Sequence, residues 1–295
     1  MADTELVELL KALLGREVEL FCRRLDPLWH DIAHVVSAIE RNHWRAVFFG
    51  GTLRSLLMSR LVHGRPGRPR DVDIVIQGPP LEILRELFGR LISRETRFGG
   101  FHLHDSEWEF DVWPLERTWG IVQDRIANPD FSNLPNTTFL NIEAAAIDIW
   151  PGTDGERQIY SGDDQFFKAI IDRVVDVNRI ENPFPELCVV RSLILVSELD
   201  FCIGRRLARY VATHGPAISE TELESVQHRH YGEVRVPSAI LREWIKSVTA
   251  SVDGHSKGCI RLPIAPRHTE IAQDQYPYEF LRTVQRWKQR RINPR

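Results

Sequence analysis

The block from Ala46 to Ile76 restricts the fold of this chain more than any other stretch. Ala46-Val47-Phe48-Phe49 is a short apolar run that stops at Gly50-Gly51, as a buried strand stops at a turn. Thr52 to Leu61 has helical spacing, Gly64 to Pro69 is a Gly/Pro/Arg loop, and Asp71-Val72-Asp73-Ile74-Val75-Ile76 reads as a second strand. Each part of that order has a chemical use. Two glycines between a strand and a helix let backbone N–H groups come close to a phosphate. The N-terminus of the following helix aims its dipole at the same anion. Asp71 and Asp73 stand at i and i+2 and therefore share one face of their strand. Carboxylates that close repel, and a divalent cation between them keeps both ionised. Mg²⁺, with Mn²⁺ as a substitute, takes carboxylates together with phosphate oxygens. Asp111, late in the strand-like run Trp108-Glu109-Phe110-Asp111-Val112, is the candidate third carboxylate of a two-ion site, with Glu109 on the same face in reserve. An Asp-x-Asp or a Gly-Gly taken singly is common on surfaces. The ordered combination is what points to a metal-bound nucleoside triphosphate.

Around this block the chain falls into an α/β part and a helical part. Residues 1–44 are read as N-terminal helices. Thr4 is expected to cap a segment with Leu6, Leu9, Leu10, Leu13 and Leu14 on one face, and a second helix is expected from about Pro27 to Asn42. A helix opening at Pro79-Pro80 is expected to run to about Ile92. Strands are expected at Phe101–His104 and Trp108–Val112 around a turn at Asp105-Ser106, with a further β segment between Thr137 and Asp148. From about residue 160 the spacing becomes helical: Asp163–Val177, Pro185–Asp200, Arg205–Thr213, Ser219–His228, Ser238–Ser251 and Tyr278–Arg291. The fold class predicted is α+β, a mixed sheet with flanking helices followed by an all-helical region.

Composition removes several alternatives. At 43% hydrophobic and 27% charged, the chain has the balance of a globular domain. No apolar run is long enough to predict a membrane span. The start, Met-Ala-Asp-Thr-Glu, is acidic and unlike a secretory signal, and Cys22, Cys188, Cys202 and Cys259 lack metal-ligand spacing. A cytoplasmic protein with reduced thiols is expected. The net charge of −3 conceals two basic segments without acids, Arg54–Arg70 and Arg282–Arg295. They read either as solvated faces or as surfaces for a polyanion.

With these residues in place the chain resembles the DNA polymerase β superfamily of nucleotidyltransferases. Within it, the likeness is to the head and neck domains of the bacterial CCA-adding enzyme and poly(A) polymerase group. The likeness covers roughly residues 45 to 215. It includes Thr137-Thr-Phe-Leu-Asn-Ile-Glu-Ala-Ala-Ala-Ile-Asp148, the turn Ile159-Tyr160-Ser161-Gly162-Asp163-Asp164, and a neck-like stretch from Ile180-Glu-Asn-Pro183 through Arg191 to Phe201. It implies a nucleotidyltransferase head at 45–160, a helical neck at 161–215 and a helical extension at 216–295. It also implies Mg²⁺-dependent transfer of a nucleoside monophosphate from an NTP to a hydroxyl, releasing pyrophosphate, with an RNA or tRNA 3′ end as acceptor. Asp71, Asp73 and Asp111 would hold the ions, and Gly50, Gly51 and Arg54 would hold the triphosphate. The departures are specific. Thr137-Thr138-Phe139 stands where the family has Arg-Arg-Asp, Glu143 where it has Asn, and Asn182, Pro185 and Cys188 replace an Asp and two arginines of the neck motif, leaving Arg191. The resemblance thus implies a kept metal site and a lost base-reading site. Two other readings stay open: transfer to a small molecule or protein side chain, including a toxin or defence role, and a relative that binds nucleotide or RNA without transfer.

Lesser candidates remain. His102 and His104 share a face at strand spacing and either help bind phosphate or form a structural pair. Trp108 and Trp113 bracket Asp111 and either stack on a base or fill the core. Lys168 and Arg173 are candidates to face the triphosphate. His228, His230 and Tyr231 are read as helix-end groups. Trp287-Lys288-Gln289-Arg290-Arg291 joins an aromatic to cations, as single-strand binders do and as ordinary amphipathic helices also do.

Overall fold

The computed structural model describes residues 2–23, 29–65, 67–105, 108–254 and 258–262. These divide into two compact units, one of residues 2–138 and 143–167, the other of 139–142 and 168–262. The basic tail from Arg282, its expected helix Tyr278–Arg291, and the turn residue Ser106 lie outside the described residues. Among the described residues no helix is long and apolar enough to cross a membrane.

The first unit opens with α1 (Ala2–Cys22) and α2 (Trp29–Arg41). Thr4 lies inside α1 and does not cap it, because the helix begins two residues earlier. The sheet follows: β1 (Arg45–Phe49), α3 (Gly51–His63), β2 (Asp71–Gln77), α4 (Leu81–Phe88), β3 (Ile92–Glu95), β4 (Phe101–Asp105), β5 (Trp108–Pro114), α5 (Trp119–Asp124), β6 (Ala146–Asp148) and β7 (Ile159–Tyr160). Seven strands lie in the order β3-β4-β5-β2-β1-β6-β7. Only β2 and β5 run parallel; every other neighbouring pair is antiparallel.

Burial along the central strands explains where the sheet opens. β5 alternates strictly, with Trp108, Phe110, Val112 and Pro114 buried and Glu109, Asp111 and Trp113 on the other face more accessible. β2 alternates only at its start: Val72 and Ile74 are buried beside half-exposed Asp71 and Asp73, whereas Ile74, Val75 and Ile76 are all buried. The change arises because Val75, Leu115, Ile121, Phe131 and Leu134 form a cluster over the end of that face, with Trp113 against it. The carboxylate-bearing half is left open. On the N-terminal side, Glu17 of α1, 2% exposed, accepts a hydrogen bond from Arg60 Nε of α3 at 2.7 Å, fastening the two helices together.

Two expected elements are corrected here. The helix predicted to reach Ile92 ends at Phe88, passes through a 3₁₀ turn at Gly89–Leu91, and gives way to the edge strand β3. The β segment expected between Thr137 and Asp148 is a strand only at Ala146–Asp148, where it pairs with β1. Before it come 3₁₀ turns at Phe131–Thr137 and Asn141–Glu143, the first capped by Asp130 and Asn133 in a reciprocal capping box.

The helix α6 (Gln165–Asp172) leads into the second unit, with β8 (Val174–Val175), α7 (Pro185–Leu199), β9 (Cys202–Ile203), α8 (Arg205–His214), α9 (Glu220–Tyr231) and α10 (Ser238–Asp253). The helix expected over Asp163–Val177 is cut short: Arg173 takes φ 55°, and the two valines after it pair in parallel with β9. Asp176 stands so close to Gly204 that a Cβ there would lie 2.3 Å from its carboxyl carbon. Its Oδ1 accepts the Leu207 N–H at 2.7 Å, closing the first turn of α8. Gln227, fully buried, donates to the Leu223 and Val236 carbonyls and accepts from the Arg235 and Val236 N–H groups, which fixes the loop between α9 and α10.

Candidate active site

The site begins at the turn between β1 and α3. Gly50 takes φ 59° and ψ −118°, a conformation essentially closed to residues with a side chain. The expectation that both glycines offer N–H groups to a phosphate needs correction at Gly50. Its N–H donates to the Ala145 carbonyl at 3.1 Å, so Gly50 makes the turn. Gly51 is the first residue of α3, and the N–H groups of a helix's first turn have no partner within the helix. A Cβ on Gly51 would stand 3.6 Å from Asp73 Oδ2 and 3.6 Å from an Arg54 guanidinium nitrogen, in the space those two charges share.

Thr52 joins this turn to the Asp-x-Asp strand. It is wholly buried; its Oγ1 accepts the Asp73 N–H at 2.8 Å and donates to the Asp71 carbonyl at 3.4 Å. The main chain of the two aspartates is therefore held by the residue after the glycine pair. Sequence reasoning passed over Thr52; its position directly after Gly-Gly was the available signal.

Strand register assembles the rest. Asp73 is level with Asp111, and Asp71 with Glu109, across the parallel β2–β5 ladder. Asp111 is level with His102, and Glu109 with His104, across β4–β5. All six side chains project from one face, since register partners and i, i+2 neighbours share a face. Neighbouring strands lie about 4.8 Å apart, which sets the spacing of the rows. His102 Nδ1 lies 2.9 Å from Asp111 Oδ1, and its Nε2 lies 3.9 Å from Glu109 Oε2. The hydrogen bond to Asp111 raises the His102 pKa above its ordinary value, against burial and the nearby Arg94 charge. The structure thus brings Asp71, Asp73 and Asp111 onto one open face beside Gly51. Among the described residues, no three His, Cys, Asp or Glu side chains are gathered tightly enough to hold an ion by themselves.

Arg54 has a buried partner. Its Nη1 donates to Glu143 in an ion pair whose side chains are 17% and 6% exposed. Glu143 thereby sits at the site, brought from far along the chain by the turn before β6. The Arg54–Arg70 segment is mostly absorbed in this way. Arg60 pairs with Glu17, Arg68 stacks over the Trp108 ring at 4.8 Å, and Arg70 grips both oxygens of Asp71 at 3.1 and 2.9 Å. That run reads as basic in sequence because its acidic and aromatic partners come from other elements.

The lesser candidates divide. Trp108 is 4% exposed and meets Phe21 edge-on at 6.0 Å, and Trp113 donates Nε1–H to Thr118 at 3.0 Å and packs against Phe49. Both are packing residues in this structure. In the second unit Arg173 donates to the carbonyl and carboxylate of Asp200 and lies over Phe201, which makes it a closure for the end of α7, while Lys168 is exposed. His228 and His230 fall in the last turn of α9, and the His230 ring contacts Tyr231.

No protein-family model matches the sequence, and no curated protein matches it. Solved structures do. The Bacillus stearothermophilus CCA-adding enzyme in complex with CTP superposes with a TM-score of 0.51 at 18% identity, over 76% of this chain and 53% of that one. The Thermotoga maritima CCA-adding enzyme complexed with tRNA gives 0.51 at 17% identity, over 79% of this chain and 54% of that one. A further CCA-adding enzyme with CTP gives 0.52 at 17% identity, over 77% and 54%. The chain spans about half the length of these enzymes. It shares their fold in that part, a mixed sheet with flanking helices followed by a helical region.

Proposed function

We propose that this protein is a metal-dependent nucleotidyltransferase that moves a nucleoside monophosphate from an NTP to a hydroxyl, with an RNA or tRNA 3′ end as acceptor. The observation that carries the reading is the row Asp73–Asp111, with Asp71 on the same face and the Gly51 end of α3 beside it. The donor set fits Mg²⁺, or Mn²⁺, in a two-ion arrangement: a pair of carboxylates completed by phosphate oxygens is how such ions are usually held, rather than in an all-protein cage. Asp71, Asp73 and Asp111 would hold them. Bound there, the ions would neutralise the triphosphate and the departing pyrophosphate.

The residues of the chain do the rest. The first N–H groups of α3, from Gly51 onward, receive phosphate oxygens, and the absence of a side chain at Gly51 keeps that approach open. Thr52 holds the backbone of Asp71 and Asp73 so that their carboxylates keep one spacing. The acceptor oxygen bonds to the α-phosphorus as the bond to the bridging oxygen breaks and pyrophosphate leaves. Asp111, level with Asp73 on the neighbouring strand, would hold the ion that activates the acceptor and would take the acceptor's proton.

A second reading, nucleotide or RNA binding without transfer, draws on the Arg54–Glu143 pair, which engages a cation that would otherwise meet the triphosphate. Transfer to a small molecule or protein, including a toxin or defence role, keeps the same chemistry with a different acceptor. One assay separates the three. The full chain is incubated with each α-labelled NTP, Mg²⁺ or Mn²⁺, total RNA and cell extract, beside an Asp71→Asn/Asp73→Asn control. Label in a tRNA-sized band from the unaltered protein alone supports the reading. Label in another acceptor selects the second chemistry. Nucleotide binding without label in anything leaves a binding module.

A further inference from the structure

We infer that the β3–β4 edge of the sheet is where a single-stranded polynucleotide end lies as it enters the carboxylate site. The inference rests on the proposed transfer to an RNA acceptor. It starts from register. Arg94 of β3 is level with His102 of β4, His102 with Asp111 of β5, and Asp111 with Asp73 of β2. Four adjacent strands therefore present one row on the open face, changing from acidic at the centre to basic at the rim. The row crosses three strand spacings, roughly 14 Å.

Beyond Arg94 the chain turns through Thr96–Gly100, a tight loop closed by Thr96 N–H to the Gly100 carbonyl at 2.8 Å and Gly99 N–H to the Thr96 carbonyl at 3.1 Å. This tip carries Arg97 and Phe98, the latter 39% exposed. Arg117 runs beneath it: a Cβ on Gly99 would stand 3.4 Å from Arg117 Cδ. Arg94, Arg97 and Arg117 are all exposed. Of the acids beside these arginines in sequence, Glu95 is paired with Arg85 at 2.6 Å and Glu116 is exposed.

The chemistry selects the occupant. Three exposed arginines and an exposed aromatic ring on one edge of the sheet suit a strand that offers phosphates and a stackable base together. A terminal hydroxyl must reach Asp111, and the basic row from Arg94 through His102 leads a polyanion to that carboxylate. A protein strand added to the edge of β3 would use its backbone groups and would not need the arginines.

The test uses the full chain and a fluorescein-labelled, unstructured RNA of roughly 12 nucleotides. Anisotropy is read over a salt series for the unaltered protein, an Arg94→Gln/Arg97→Gln/Arg117→Gln variant and a Phe98→Ser variant. Each phosphate contact on a single strand contributes about 0.7 to the salt slope, so the triple variant is expected to lose about 2 in slope and about 100-fold in affinity near 0.1 M salt. Phe98→Ser is expected to lose about tenfold with an unchanged slope. NTP binding, measured in parallel, is expected to stay the same for both. If the unaltered protein extends this RNA and the variants bind it as tightly, the edge assignment is wrong while the transferase reading stands. If the unaltered protein neither binds nor extends it, the reading beneath fails and this inference with it. Binding that ignores salt, or a loss of NTP affinity alongside, overturns the assignment as well.

Discussion

The Asp73 N–H donates to Thr52 Oγ1 at 2.8 Å, so a buried hydroxyl in the first turn of α3 sets the height of the second aspartate on β2. Because the same hydroxyl also donates to the Asp71 carbonyl, both aspartates are tied to the N-terminal end of α3. Thr52→Val keeps the shape and removes both part-buried bonds, to the Asp73 N–H and the Asp71 carbonyl. The expected cost is about 1–3 kcal/mol by chemical denaturation. Mn²⁺ affinity should fall further than stability alone explains, and Thr52→Ser should recover most of both. Unchanged Mn²⁺ binding in a folded Thr52→Val protein would remove Thr52 from any positioning role.

Glu143 is 5% exposed and is ion-paired to Arg54, and the two act as one group. Glu143→Gln keeps a hydrogen-bond acceptor but takes away the counter-charge. Thermal stability should drop, within the roughly 3–5 kcal/mol that loss of a buried partner costs. If Arg54 is then available to phosphate, nucleotide titration should show tighter NTP binding in this less stable protein. Weaker or equal binding would mean that the guanidinium cannot turn toward the site.

These two pairs show what could and could not be seen along the chain. The strand–Gly-Gly–helix–loop–Asp-x-Asp order was legible because each step is local: an apolar run, a turn residue, a helical period. The faces of Asp71, Asp73 and Asp111 followed from alternation, and the four helices from α7 to α10 from their spacing. The edge strand β3 was not legible, since Ser93, Arg94 and Glu95 are exposed and show no apolar alternation; pairing with β4 makes them a strand. The span Thr137–Glu143 reads as an apolar strand, yet it is mostly 3₁₀ turns whose ends are set by Asp130 and by Asn141 bonding to Val174 and Asp176. Ion pairs such as Arg54–Glu143 and Arg60–Glu17 bring together residues 89 and 43 positions apart, a relation that no window of sequence contains.

The two glycines of the turn should respond differently to the same methyl group. Gly50→Ala forces a side chain into φ 59°, ψ −118°, and should destabilise the fold by about 1–3 kcal/mol. At Gly51 φ is not positive and the added Cβ meets only ordinary contacts, the nearest at 3.6 Å. Gly51→Ala should therefore keep its melting temperature and lose NTP affinity, because the methyl occupies the space between Asp73 and Arg54. Calorimetry and nucleotide titration on the two variants check this. A Gly51→Ala protein with unaltered NTP affinity would argue against phosphate at that end of α3.

The last prediction concerns His102 in the metal-free protein. Its hydrogen bond to Asp111 raises its pKa, burial and Arg94 act against that rise, and Glu109 adds to it. Folding therefore favours the imidazolium. The stability this supplies is fully present below the unfolded value near 6.5 and is lost as pH rises through the raised folded value. Over that window the unfolding free energy should fall with pH, and the fall should be missing in Asp111→Asn, where the acceptor charge is gone. The ring C–H resonances of His102 report the same thing directly: its NMR midpoint should lie above the ordinary imidazole value in the unaltered protein and drop on Asp111→Asn. A midpoint that does not move when Asp111 is changed would mean that the 2.9 Å contact between them is not a bond that holds a proton.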